Sequence, residues 1–302
     1  MKIRKGPDGI HFFDRTSGTN LLLDEFVPSP ETWSKSPRQV SIALTNACDL
    51  TCPHCYAPKT KAILDSQLVK RWMSELDEQG CFGVGFGGGE PTLHPELVDI
   101  CNYGHSETGL AITITTHGHH LSDELLSQIS GSVNFIRVSM DGVDSTYESI
   151  RNRPFNRLLV ILKKLGCFVP FGINYVVNYR TIDDIDKAAL VAEDYGANDL
   201  LLLPEEPFGR GMRIDSQSLE RLKKWVHAYK GNLRLSVSSN YAAEFSSIMP
   251  LEKEPLEMAF SHIDAEGVLK RNSFENTGCK INGLGVIAAF RLLNKYMIGG
   301  YA

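Results

Sequence analysis

Apolar residues along the chain recur at two spacings, and the two spacings alternate. Leu64, Leu68, Trp72 and Leu76 stand four apart with Val69 and Met73 beside them, so residues 62 to 79 predict an amphipathic helix. Short runs of strand character flank it, Gln39 to Thr45 before and Phe82 to Phe86 after. Further strands are predicted at 110 to 116, 133 to 139, 170 to 177 and 199 to 203. Helices are predicted at 95 to 107, 121 to 130, 145 to 165 and 181 to 196, the one at 145 opening with a capping box of Ser145 and Glu148. Strand and helix in alternation imply a parallel sheet with right-handed crossovers, and six such units are too few for an eight-stranded barrel.

The flanks follow other patterns. Gly9 to Asp14 and Asn20 to Asp24 are short apolar runs around Ser17-Gly18-Thr19, a hairpin read as the cover of a barrel edge, with substrate gathering as the alternative. Past residue 211 the alternation is expected to break down. A helix is predicted over 215 to 230, a strand over 232 to 237, and a hairpin of Phe260-Ser261-His262-Ile263 and Val268-Leu269-Lys270 about the turn Asp264 to Gly267. A last helix over 284 to 296 would use Val286, Phe290, Leu293 and Tyr296 as its apolar positions.

Composition narrows the class. A chain of 302 residues with 42% hydrophobic content can bury a large core, and one domain with appendages is expected. A net charge of −5 with no run of lysine or arginine argues against nucleic acid as the main partner. The basic start Met1 to Gly6 lacks the apolar stretch of a signal peptide, and no apolar run reaches the length that spans a bilayer, so no membrane partner is expected.

The chemistry-bearing feature is Cys48, Cys52 and Cys55, spaced CxxxCxxC. Three thiolates on one short loop can hold three corners of an iron–sulfur cubane, leaving one iron for a ligand from elsewhere. Two other readings stay open. A zinc site lacks a second CxxC but could recruit His54 or a distant histidine. Cys52-Pro53-His54-Cys55 also has the form of a CPHC dithiol, which leaves Cys48 without a role. Cys81, Cys101 and Cys167 fall on predicted core elements and are read as buried thiols; Cys279, after Asn276-Thr277-Gly278, is the one loop cysteine apart from the triplet.

A second motif, Gly87-Gly88-Gly89-Glu90-Pro91, follows the predicted strand at 82 to 86. Glycines let the backbone approach a ligand closely, and a neighbouring carboxylate can accept hydrogen bonds from a ligand ammonium. Gly83 to Gly88 also spells GxGxxG, but its first two glycines lie inside the strand, unlike a dinucleotide fingerprint, and a glycine-rich bulge is the preferred reading.

With CxxxCxxC after the first barrel strand and GGEP after the second, the chain resembles the radical S-adenosylmethionine (radical SAM) superfamily over about residues 38 to 210. The resemblance implies an α/β fold: an open, partial (β/α)6 TIM-like barrel with a short N-terminal β-hairpin at 1–37, a core at 38–213 and a small α+β extension at 214–302. It implies one [4Fe-4S] cluster held by Cys48, Cys52 and Cys55, with SAM as the second cofactor. Gly88, Gly89 and Glu90 are then SAM contacts, as are Tyr56 through its backbone and Thr116, where His117 takes the asparagine place of the family's turn. Ser139 and Arg151 are similar to the serine and arginine that hold the SAM ribose or carboxylate in peptide-modifying members, and an arginine fork suits a carboxylate. Gly172-Ile173 matches the family's next motif only weakly. Leu203, with Leu202, is a candidate adenine contact, plain core being the alternative.

Function follows the resemblance. Reductive cleavage of SAM at the cluster would give a 5′-deoxyadenosyl radical that takes hydrogen from the substrate, with reduced flavodoxin or ferredoxin as electron donor. The C-terminal pattern resembles the twitch remnant of the SPASM branch without its auxiliary-cluster cysteines, which leads to a ribosomally made peptide as substrate. A small sugar, nucleoside or amino acid is the alternative. His117 to His120 and Glu205 to Arg210, on loops after the third and sixth strands, are candidate substrate contacts, with Glu205 and Arg210 foremost. Cysteines kept reduced for metal imply the cytoplasm.

Overall fold

The computed structural model describes residues 1–247 and 251–298, with side chains through Asn294, so the side chain of Tyr296 lies outside the described residues. Three strands, β1 (Lys2–Gly6), β2 (Gly9–Phe13) and β3 (Asn20–Leu23), form a small antiparallel sheet. The hairpin expected from sequence is β2–β3, and β1 adds a strand that was not expected. Asp14 shapes the turn by accepting from Ser17 N and Oγ at 2.9 and 2.7 Å. The small sheet packs His11 and Phe13 on Phe82, with ring centroids 4.8 and 5.2 Å apart, and Arg15 donates to the carbonyls of His105, Thr108 and Leu110. It therefore covers the end where the main strands begin, opposite the cysteine loop.

The main sheet then alternates with helices: β4 (Gln39–Thr45), α1 (Ser66–Glu78), β5 (Gly83–Gly88), α2 (Leu97–Glu107), β6 (Ala111–Thr116), α3 (Asp123–Ile129) and β7 (Phe135–Ser139). It continues with α4 (Asp144–Arg151), α5 (Phe155–Leu165), β8 (Phe171–Val177), α6 (Ile185–Asp194), β9 (Asp199–Pro204), α7 (Ser216–Ala228) and β10 (Arg234–Val237). Strands β4 to β10 pair in parallel, neighbour to neighbour. After α8 (Leu256–Ala259), strand β11 (Phe260–Ile263) returns to pair in parallel with β4, and β12 (Val268–Lys270) and β13 (Cys279–Lys280) follow antiparallel, before α9 (Val286–Ile298). The result is one ten-stranded sheet, β10-β9-β8-β7-β6-β5-β4-β11-β12-β13, open at β10 and β13 among the described residues. The alternation thus runs one unit past residue 211, because α7 carries the chain back to a seventh parallel strand.

Local chemistry explains where elements differ from the periodicity. Helix α1 starts four residues later than expected because Asp65 accepts from Gln67 N and Leu68 N at 2.9 and 3.0 Å, while Ile63 and Leu64 run beside β4. Its buried face is Val69, Trp72, Met73 and Leu76, and Leu68 turns outward. The helix expected over 145–165 is two helices, broken where Asn152 adopts a left-handed conformation (φ 51°) and Pro154 follows. The expected capping box does not form. Val143 occupies the N-cap of α4, and Glu148 instead accepts from Phe155 N at 3.0 Å, capping α5.

One face of the sheet is sealed by helices through Phe86, Ile112, Ile114, Ile136, Val138, Ile173, Tyr175 and their neighbours, all buried. The alternate residues, among them Gly85, Gly87, Thr113, Thr115, Ser139 and Asn174, line a face that stays accessible. Near the start of the strands Arg137 grips Asp199 with two hydrogen bonds of 3.0 Å and Arg234 adds a third at 2.9 Å. Gly172 makes room for this trio, since a Cβ there would lie 2.0 Å from Asp199 Oδ1. That is the structural role of a glycine whose match to a ligand motif was weak. Cys81 and Cys101 are buried as expected, whereas Cys167 is exposed at the end of α5, and Cys279 packs against the core beside α9. No helix among the described residues is long and apolar enough to cross a membrane.

Two outcomes are expected. Gly172→Ala forces Asp199 off its partners and lowers unfolding free energy by about 1–3 kcal/mol in urea titrations; an unchanged midpoint would show that the strand can shift instead. His262 on β11, hydrogen-bonded to Ser41 at 2.7 Å, is held by burial down to about 4, below its ordinary 6.5. Because the unfolded chain takes up the proton first, stability from this group is full above pH 6.5 and is lost as pH falls toward 4. His262→Gln should therefore flatten the fall of Tm across that window, and parallel Tm curves would refute it.

Candidate functional site

The cysteines lie in the long connection from Thr45 to Asp65, at the C-terminal end of β4. Its two ends are tied by hydrogen bonds from Asn46 N to Ala62 O and Leu64 N to Leu44 O, each 2.9 Å. The GGEP segment leaves the end of β5 next door. Gly89 N donates to Thr45 O at 2.7 Å and Glu90 N to Ala47 O at 2.8 Å. Gly88 holds φ +117°, and a Cβ there would sit 2.3 Å from Thr45 O, while one on Gly89 would sit 2.3 Å from Ala47 O. The close approach these glycines permit is to the cysteine loop itself, where the sequence suggested a ligand.

Glu90 is 1% exposed and anchors three elements. Its Oε1 accepts from Thr92 Oγ1 (2.6 Å) and Thr116 Oγ1 (2.7 Å), and its Oε2 accepts from His117 N (2.9 Å). His117 Nε2 lies 3.3 Å from Glu90 and donates to Asp49 at 2.9 Å. Asp49 also takes His120 (3.3 Å) and Arg153 (2.9 Å). Burial works against its ionisation, yet these partners outweigh it and hold the carboxyl well below the usual range. Burial lowers His117 against the pull of Glu90 and Asp49.

A second knot sits under Cys52. Asp141, with no exposure, pairs with Arg151, lies 3.2 Å from His54 Nε2 and accepts from Val176 N at 2.9 Å. Arg151 in turn reaches Cys52 Sγ at 3.5 Å. Burial raises the Cys52 thiol pKa and Arg151 opposes the rise; burial also raises Cys48, whose sulfur accepts from Leu50 N at 3.4 Å.

Over the loop lies the connection after β9. Arg210 N donates to Cys55 O (3.1 Å), and the ring of Phe274 packs edge-on to Tyr56 (5.0 Å) and stacks on Phe208 (4.7 Å). Glu205 is a buried brace of this connection, accepting from Asn178 Nδ2 and Met212 N at 2.8 Å, where a substrate contact was expected. His117 and His119 are likewise buried, the latter 2.9 Å from Tyr147 Oη, while Arg210 is exposed. Ser139 and Leu203 lie half-exposed on the accessible face of the sheet, and Leu202 belongs to the core.

The structure thus gathers Cys48, Cys52, Cys55, Tyr56, Gly88, Gly89, Glu90 and Thr116 at one end of the sheet, with Ser139 and Leu203 on its open face and Arg151 turned under Cys52. Sequence reasoning passed over Asp49, Asp141 and Arg153, and weighed His54 only as a zinc ligand and a member of the CPHC segment. Asp49 and His54 stand at spacer positions of the cysteine motif, and the one signal for Asp141 was an acid two residues past a strand and just before a glycine.

Residues 42–189 match the Radical SAM superfamily model. The AdoMet-dependent heme synthase of Methanosarcina barkeri is 27% identical over 271 residues, covering 84% of this chain and 76% of that protein. The mycofactocin maturase MftC of Mycobacterium tuberculosis is 27% identical over 207 residues, covering 66% of this chain, which spans about half (51%) of that protein's length. Among solved structures, SuiB of Streptococcus suis bound to its precursor peptide SuiA superposes with a TM-score of 0.80 at 14% identity, over 99% of this chain and 88% of that one. The open parallel sheet is therefore the partial barrel of that structure. With its domain laid over β4 to α6 and both motifs at the strand ends where that domain begins, the chain is an enzyme of the radical SAM superfamily.

Proposed function

We propose that this enzyme modifies a peptide, with Cys48, Cys52 and Cys55 holding the cluster and Gly88, Gly89, Glu90, Thr116, Ser139, Tyr56 and Leu203 contacting SAM. Its cofactors are those of the family, one [4Fe-4S] cluster and SAM. When bound, the pair supplies reductive cleavage of the SAM sulfonium and, through the 5′-deoxyadenosyl group released, hydrogen abstraction from a substrate carbon. The observation that carries the reading is the joint between the cysteine loop and Glu90, which sets three thiols and a buried carboxylate side by side above an open sheet face.

The donor set fits a cluster better than a single ion. The one group of potential ligands whose atoms all fall within 4.8 Å of one another among the described residues is Cys48, Asp49 and His117, which takes only one of the three cysteines. A tetrahedral zinc would need its sulfurs closer together. His54, a possible fourth zinc ligand, is engaged by Asp141. A CPHC dithiol would leave Cys48 idle, yet all three cysteines are fixed in one loop.

Within this reading the chain's own groups bind and orient. Glu90 is braced by Thr92, Thr116 and His117 to accept from an ammonium. Thr113, Thr115, Ser139 and Asn174 offer hydroxyl and amide contacts to a substrate on the accessible face, flanked by Val176, Leu201 and Leu203. A Cβ on Gly87 would meet nothing within 4 Å, so that wall is thin and leaves room. A peptide substrate is favoured by the maturase relative and by the fold shared with the SuiB–SuiA complex. A small-molecule substrate is favoured by the heme synthase, which matches more of the chain. Reduced flavodoxin or ferredoxin is the proposed electron donor, and the cytoplasm the proposed setting. The core at 38–213, with its N-terminal cover at 1–37 and C-terminal extension at 214–302, is the proposed division of the chain.

Anaerobic reconstitution with iron and sulfide, then dithionite and SAM, should yield a brown protein that forms 5′-deoxyadenosine. Cys48→Ala should abolish the product, and Glu90→Gln should lower its rate by about 10–100-fold, the worth of one charge-assisted hydrogen bond. A colourless protein, or full turnover without Cys48, would refute the reading. Mass spectrometry of a peptide encoded beside the gene, after incubation with the loaded enzyme, separates peptide from small-molecule chemistry.

A further inference from the structure

Asp141 and Arg151 form a buried pair, in which the arginine that the sequence offered to SAM is engaged by Asp141 and by Cys52 Sγ. Asp141 has no exposure and Arg151 only 8%. An ion pair this deep is costly unless each remaining group has a partner. Asp141 is well supplied, by Arg151, by Val176 N and by His54 from inside the cysteine motif. Arg151 is not. Its Nε is buried with no hydrogen-bond partner among the described residues, and one of its terminal nitrogens points at Cys52 Sγ from 3.5 Å. The break at Asn152 ends α4 on Arg151, so the guanidinium is set under the loop by the same kink that sends Arg153 to Asp49. A buried guanidinium between a carboxylate and a sulfur is in place to act on whatever the sulfur binds.

Resting on the reading that Cys52 is a cluster ligand, we propose that Arg151 and Asp141 are positioning residues that set the cluster's electron affinity. Arg151 donates to the Cys52 sulfur and adds positive charge, and Asp141 aims that donor and tempers its charge. Hydrogen bonds to ligand sulfurs and the net charge nearby are the protein's levers on cluster potential. The two residues therefore act in opposite directions. Removing the guanidinium leaves the bare carboxylate near the cluster and disfavours the added electron. Neutralising Asp141 leaves the guanidinium uncompensated and favours it.

The test is a redox titration of the reconstituted enzyme, following the reduced cluster by electron paramagnetic resonance in wild type, Arg151→Gln and Asp141→Asn, with circular dichroism as the check on folding. Arg151→Gln should shift the midpoint to lower potential and Asp141→Asn to higher. A role confined to packing would leave both at the wild-type midpoint or move both the same way, and either result overturns the proposal. Where Arg151→Gln loads too little iron, Arg151→Lys replaces it, with a smaller downward shift expected because the charge stays and the fork is lost. A wild type without iron and sulfide sinks the cluster reading and this proposal with it. A loaded wild type with unmoved variants sinks this proposal alone.

Discussion

Two backbone hydrogen bonds, from Gly89 to Thr45 and from Glu90 to Ala47, hold this site together. A connection as long as Thr45 to Asp65, with no regular structure of its own, would otherwise be the loosest part of the enzyme. Stitched at its base to β4 and along its first turn to the end of β5, it becomes an extension of the sheet. Only glycine can stand at 88 and 89, because any Cβ would fall on a carbonyl of the cysteine loop. The carboxylate that follows inherits a fixed position, and through His117 and Asp49 it is wired back into the loop between the first two cysteines.

The sheet departs from the usual parallel arrangement in a way that bears on its use. Parallel strands are ordinarily buried on both faces and read as unbroken apolar runs. Here β6 reads Ala-Ile-Thr-Ile-Thr-Thr and β7 Phe-Ile-Arg-Val-Ser, alternating like strands with one wet face. Isoleucine and valine go to the helices, while threonine, serine and the Arg137–Asp199 pair go to the other side. That pair closes the face near the start of the strands, and the cysteine loop stands at the opposite end. The accessible surface between them therefore mixes hydroxyl and amide groups on β6 to β8 with Val176, Leu201 and Leu203 toward β9, and it is uncharged in its middle and open toward the cysteines.

Much of this was legible in the chain. Strands announced themselves through β-branched runs, and the two motifs fell where strands ended, so fold and loop chemistry could be read together. What escaped depended on contacts between distant segments. The pattern over 145–165 was periodic enough for one helix, yet Asn152 and Pro154 divide it, and the division is what delivers Arg151 and Arg153 to the loop. Asp49 is one residue in a spacer until His117, His120 and Arg153 converge on it from two other connections. Glu205 looked available for substrate because its hydrogen-bond partners, Asn178 and Met212, are set by tertiary structure.

Strand β4, which launches the cysteine loop, has β5 on one side and β11 on the other, and β11 lies more than two hundred residues later in the chain. During synthesis that side of β4 stays an unpaired edge until Phe260–Ile263 have left the ribosome, long after the cysteines themselves. Loop closure over such a separation is slow compared with the local hairpins and helices around it. The loop can thus be stitched to β5 as soon as Gly89 and Glu90 emerge, whereas the other flank of its supporting strand is completed only by a segment made near the end of elongation.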